Sequence, residues 1–159
     1  MGNTTTLRRA LRDTFFPYVE RKGFGIDKSR QPQFTTFRRI TDRTVQVFDI
    51  QWDKYGKPRF VINFGEAPIE GVLRYGVPVE ARNVEVFDCK PMLRLQRRRG
   101  GTMGCWFQLR RPVLQQLLTF QREYTPEEVV REVLAAFPDA EEWWASRADG
   151  RHIHGLSNA

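Results

Sequence analysis

The sequence predicts an α+β fold, an antiparallel sheet of about five strands packed on an N-terminal helix and C-terminal helices. Three observations carry that expectation. Apolar residues recur at helical spacing over the first 22 positions, the period changes to two between positions 33 and 64, and helix-start signals return after position 112. Helix, then consecutive strands, then helices is the order of segregated layers, not the βαβα alternation of a parallel sheet.

Leu7, Ala10, Leu11, Phe15, Tyr18, Val19 and Lys22 fall on one stripe, and Thr6 before them can cap the helix with its side-chain oxygen. Pro17 lacks an N–H and crowds the preceding turn, so a kink is expected there. Gly23 offers a left-handed stop, after which Phe24 can fold back onto the last turn. Gln33 to Ile40 and Thr44 to Trp52 are rich in aromatic and β-branched residues. In the second run Phe48, Ile50 and Trp52 face one way, and Val47, Asp49 and Gln51 the other. Lys54 to Lys57 form a turn around Gly56, and Phe60, Ile62 and Phe64 line one face of the return strand.

Ala67 to Val79 carries four Pro or Gly residues and reads as a long irregular connection. Strands are expected over Val84 to Cys89 and Met103 to Arg110, with the Arg-rich stretch Arg94 to Gly101 between them. Pro112 can open a short helix through Phe120, and the same segment could instead be extended. Thr125-Pro126-Glu127-Glu128 combines a cap, a proline at the first helical position and a reciprocal acidic partner, which is a helix start. Asp139 to Glu142 repeats the capping pattern and predicts a separate final helix bearing Trp143 and Trp144. Residues 1–150 are read as one domain and 151–159 as a flexible tail.

The length of 159 residues suits one domain, and 40% hydrophobic with 13% aromatic residues suits a globular one. The net charge is +7, unevenly spread: residues 1–110 hold 21 Lys and Arg against 11 Asp and Glu, while residues 111–159 hold 5 against 8. A basic body predicts an anionic partner, although 21 of the 26 basic residues are Arg, a bias that base composition alone can produce. Cys89 and Cys105 lack metal-ligand spacing and read as reduced thiols in a cytoplasmic protein. No apolar run approaches a membrane span, so no membrane partner is expected.

Leu11 to Phe24, the strand ending Phe48-Asp49-Ile50-Gln51, Phe60-Val61-Ile62-Asn63-Phe64-Gly65 and, more weakly, Leu95 to Leu109 resemble a mainly bacterial family known as domain of unknown function 4304. The likeness covers about two-thirds of the chain by this reading. It implies an α+β fold and brings no activity.

No catalytic residue, metal site or cofactor is predicted. Asp49, Gln51 and Asn63 group on the less apolar face of paired strands and could form a recognition surface, or could satisfy one another. Arg94, Arg97, Arg98 and Arg99, followed by two glycines, could wrap a phosphate with help from Arg38, Arg39 and Arg43, or could be a solvated basic loop. His152 and His154 lack a third metal ligand. Of Trp143 and Trp144, one is expected to anchor the core. Three function classes follow: a non-catalytic binding or accessory protein, of immunity type for example, acting on a protein partner; a nucleic-acid binder using the Arg-rich surface; and, less favoured, an enzyme built around Asp49, Gln51, Asp53 and Asn63.

Overall fold

The computed structural model describes residues 2–27 and 31–156. Helix α1 (Asn3–Ala10) runs through a π-helical turn, Leu11–Phe15, into α2 (Phe16–Arg21). Leu7, Leu11, Phe15 and Val19 make its buried stripe. The expected cap at Thr6 is displaced: Gly2 occupies the cap position and the Thr6 N–H already bonds the Gly2 carbonyl. Pro17 follows the π turn, whose wider winding makes room for a residue that cannot donate and crowds the carbonyl one turn back. Gly23 has φ +92°, and the Gly23 and Phe24 N–H groups return to the Glu20 and Val19 carbonyls, the reciprocal pair that closes a helix.

Strand β1 (Gly25–Ile26) precedes a meander of β2 (Phe34–Ile40), β3 (Thr44–Trp52) and β4 (Arg59–Pro68). A two-stranded hairpin follows, β5 (Val72–Arg74) and β6 (Val77–Val79). This corrects the irregular connection expected over Ala67 to Val79: Tyr75 (φ 51°) and Gly76 (φ 78°) both take left-handed conformations, which suits a tight two-residue hairpin turn. The strand expected over Val84 to Cys89 is instead a 3-10 turn, Val86–Asp88. Glu85 and Asp88 cap it reciprocally, and Arg74 grips both Asp88 carboxylate oxygens at 2.8 and 2.5 Å. Within the Arg-rich stretch lies β7 (Leu93–Leu95), and the strand expected over Met103 to Arg110 shortens to β8 (Phe107–Gln108) after a 3-10 turn.

Helix α3 (Val113–Thr119) leads to α4 (Pro126–Ser146), and β9 (Ile153–Gly155) ends the described fold. The strand order is β1-β2-β3-β4-β7-β9, with β8 on β4 beside β7, every pairing antiparallel. The last strand corrects part of the expected flexible tail, because Ile153 is buried and pairs with Leu95; positions 157–159 of that tail lie outside the described residues. No described helix is long and apolar enough to cross a membrane.

The helices cover the Phe48/Ile50/Trp52 face. Phe137 of α4 meets Phe15, Phe24 and Phe48 at ring separations of 5.4, 6.1 and 5.3 Å. This packing explains why α4 runs unbroken through Pro138, against the two helices expected. Phe137, Ala140, Trp143 and Trp144 are all buried on one continuous face, and their burial outweighs one lost backbone bond. Both tryptophans therefore anchor the core, and the Trp144 indole N–H donates to the Gly65 carbonyl at 3.0 Å. Asp139, expected to start a helix, accepts from the His152 N–H and ties β9 to α4.

The opposite face is divided. Over its upper half residues 69–92 form a strap, where Val84, Val86 and Cys89 pack on Val45, Val47 and Ala67. Gly65 is what lets the strap sit so low, since a Cβ there would stand 2.4 Å from the Cys89 Cβ. The lower half carries the polar residues.

Candidate functional site

Strand register sets Thr36, Asp49, Asn63, Arg94 and His154 side by side across β2, β3, β4, β7 and β9. Successive residues of a strand point to opposite faces, so all five belong to the face away from the helices. Asn63 is the hub. Its amide nitrogen donates to Asp49 Oδ1 at 2.8 Å and to Gln51 Oε1 at 2.9 Å, while its oxygen accepts from Arg94 Nε at 3.0 Å. Both ends of the amide are thereby used, as a buried side chain requires. The outward atoms Asp49 Oδ2, Gln51 Nε2 and both terminal nitrogens of Arg94 have no hydrogen-bond partner among the described residues.

These outward groups are desolvated without being closed off. Burial pushes the Asp49 carboxyl up to about 6, against opposing pulls from the Asn63 bond and the Arg94 charge, with Glu85 on the strap adding to the rise. Burial likewise lowers Arg94, and Asp49 works against it. The strap bounds the row on one side and Trp106 on the other, its ring 5.6 Å from the Arg94 guanidinium and 5.9 Å from that of Arg59. The row is therefore a shallow polar trough running from an acidic end, Asp49 and Glu85, to a basic end at Arg94.

The remaining arginines of the predicted set do not join it. Arg97 turns toward α4, giving hydrogen bonds to Glu132 and to the Gln108 carbonyl at 2.6 and 2.7 Å, with its guanidinium over Tyr124. Arg99 pairs with Asp149 and bonds the Gly150 carbonyl. Arg98 is exposed. Gln96, fully buried, shapes this loop by donating to the Arg98 and Gly100 carbonyls. Arg38 is also engaged, with Asp27 and the Arg82 carbonyl.

Asp53 stands apart from Asp49. It closes the β3–β4 turn, accepting from Arg59 at 2.6 Å and from the Tyr55 N–H. Burial works to raise its carboxyl, but Arg59 and the turn N–H groups outweigh that and hold it below the ordinary range. Burial pushes the Cys89 thiol up to about 12, which leaves it unreactive at neutral pH. Among the described residues no three His, Cys, Asp or Glu side chains are placed to hold a metal ion.

A second surface was not foreseen. Helix α3 has no buried residue, and its apolar side is open to solvent: Val113, Leu114, Leu117 and Leu118 are 67, 68, 67 and 71% exposed, and Phe120 just beyond them is 93% exposed. At 100° per residue these four helical positions span an arc of about 140°, with Gln115, Gln116 and Thr119 opposite. The glutamines are what attach the helix to the body. Tyr124 donates to Gln115, and Gln116 donates to the Arg111 carbonyl at 2.7 Å. Tyr124 is itself held between guanidiniums, 4.2 Å from Arg111 and 4.7 Å from Arg97. Arg110 and Arg122, joined to the base of the helix, are exposed. The one signal in V-L-Q-Q-L-L-T is that its polar arc holds amides rather than charges, side chains suited to bonding the protein's own backbone.

A family profile described as Domain of unknown function (DUF4304) matches residues 19–147. No curated protein and no solved structure matches the chain.

Proposed function

Because the chain belongs to the DUF4304 family, whose description carries no activity, we propose a function from geometry alone: a non-catalytic binding domain that docks onto a protein partner. The observation that carries this reading is the exposed apolar arc of α3. Each large apolar side chain withdrawn from water contributes about 1.5–3 kcal/mol, so a helix free to choose would turn its leucines inward. Here the hydrogen bonds of Tyr124 to Gln115 and of Gln116 to the Arg111 carbonyl hold the other side of the helix, and five apolar residues within eight positions are left exposed. Arg110 and Arg122 at its base fit a partner whose apolar groove has an acidic rim.

The nucleic-acid alternative has fewer free groups than the sequence offers, since Arg97 and Arg99 are occupied within the protein. The enzymatic alternative loses Asp53 to the β3–β4 turn.

The test compares the wild-type chain with a Leu117→Ser, Leu118→Ser double variant. Both positions are exposed, so stability should change by no more than about 0.5 kcal/mol per site. A protein recovered on immobilised wild type is identified, purified and titrated back by calorimetry. The expected result is an affinity at least about tenfold weaker for the variant and a wild-type affinity that falls with salt. A partner held equally by both proteins overturns the proposal. So does a wild type that captures none but self-associates through α3 in sedimentation, or binds anionic vesicles instead.

A further inference from the structure

The trough over Asn63 is a second surface, independent of α3, and its groups suit a particular ligand chemistry. The floor is neutral and fixed: both ends of the Asn63 amide are committed, so it cannot turn to serve a ligand. The atoms left over are an acceptor at the β3 end, Asp49 Oδ2, and donors toward β7, the two terminal nitrogens of Arg94, with Gln51 Nε2 also free. The charge beyond Asp49 keeps the same polarity, Glu85 lying near it. An anion alone meets Asp49 and Glu85, and a cation alone meets Arg94. A small molecule carrying both charges satisfies both ends.

The spacing agrees. Two hydrogen bonds and the width of one amide place Asp49 Oδ1 within about 8 Å of Arg94 Nε. That is close to the span of an α-amino acid together with one hydrogen bond at each end. The guanidinium fork matches a carboxylate in bidentate fashion, and its position against Trp106 holds its plane.

We propose that this trough binds a free α-amino acid, the carboxylate on the terminal nitrogens of Arg94 and the ammonium on Asp49. Because the trough is open and shallow, binding belongs in the micromolar to millimolar range typical of a few charged contacts. Asp49 must be ionised to hold an ammonium. The groups that face it are Asn63 from β4, Arg94 from β7 and Glu85 from the strap. Its carboxyl titrates near 6, so affinity should fall as pH is lowered through that value.

The experiment titrates the isotopically labelled full chain with each of the twenty protein amino acids to 20 mM, about twenty times a dissociation constant of about 1 mM, following the side-chain amides of Gln51 and Asn63 by NMR. Acetate and ethylamine serve as single-charge probes. At least one amino acid should shift both amides saturably, and acetate and ethylamine should each bind at least about tenfold more weakly. Arg94→Gln and Asp49→Asn should each weaken binding about tenfold or more, and Arg94→Lys should restore part of it. Asp49→Asn keeps the acceptor that Asn63 uses, so it remains informative if Arg94→Gln fails to fold. The proposal is overturned if no amino acid shifts those amides, if acetate binds as well as the best amino acid, or if Asp49→Asn binds as tightly as wild type. Binding that persists in the Leu117→Ser, Leu118→Ser variant separates this site from the protein-docking surface.

Discussion

Asp49→Asn is expected to make the protein more stable at neutral pH. Burial lifts the Asp49 carboxyl to about 6 in the folded chain, against about 3.9 when unfolded. Between these values the native state holds a proton that the unfolded chain has released, so stability falls as pH rises from about 4 to about 6. A gap of about two pKa units corresponds to about 3 kcal/mol, fully lost above pH 6 and fully recovered below pH 4. Asparagine removes the charge but keeps a side-chain oxygen to accept from Asn63. Two effects reduce the gain: Asp49 is only partly buried, and Arg94 loses a nearby opposite charge. A net gain of about 1–2 kcal/mol remains, or roughly 2–8 °C in melting temperature for a domain of this size. Urea unfolding of both proteins at pH 4 and pH 8 measures it. The two should agree at pH 4 within about 0.5 kcal/mol and diverge at pH 8 with the variant ahead. A variant less stable than wild type at pH 8 would refute the view that Asp49 is held in its charged form against a desolvation cost.

Three further outcomes are expected. Asn63→Leu strands Asp49, Gln51 and Arg94 Nε at once and should cost about 2–4 kcal/mol in chemical denaturation; because the Asn63 bond draws the Asp49 carboxyl down, carboxyl NMR should show it titrating higher in the variant. Gly65→Ala drives a methyl group into Cys89 at 2.4 Å and should cost about 1–3 kcal/mol, with a double-mutant cycle against Cys89→Gly showing coupling of about 1 kcal/mol or more. Thr125→Ala removes the oxygen that accepts from the Glu128 N–H at the start of α4 and should cost about 1 kcal/mol by the same measurement.

The central hairpin was legible because its pattern was local and redundant. Phe48, Ile50 and Trp52 alternate with Val47, Asp49 and Gln51, and a slip of one residue would have turned every aromatic outward. That same alternation brought Asp49, Gln51 and Asn63 together on paper and in space. Arg94 was legible as a residue but not as a member of the row, because β7 is three residues long and its place on β4 depends on tertiary pairing. Arg97, three residues later and past the end of β7 at Leu95, had already turned to α4. The strap, the shortened β8 and β9 escaped for the same reason: segments of two or three residues carry no period. Pro138 misled because a local rule was outweighed by distant packing, the rings of Phe15, Phe24 and Phe48 around Phe137.

A sequence tuned only for stability would not keep the two features on which the function rests. Replacing Asp49 by an amide would relieve a desolvated charge, and polar residues would suit so exposed a helix as α3 better than its four apolar ones, yet the chain keeps the costlier arrangement in each case. Asn63 spends its whole hydrogen-bonding capacity holding Asp49, Gln51 and Arg94 in place. Tyr124, clasped by Arg97 and Arg111, and the two glutamines beneath α3 fasten a helix by its polar side. Local departures from the rules that govern the rest of a fold concentrate where a protein meets its ligands. Here the departures are of two chemical kinds, an ordered row of charge and an apolar ridge, and they lie on different elements. One surface for a small zwitterion and another for a protein groove is the division of labour that such an arrangement serves, and the Leu117→Ser, Leu118→Ser and Asp49→Asn variants should therefore each disable one and spare the other.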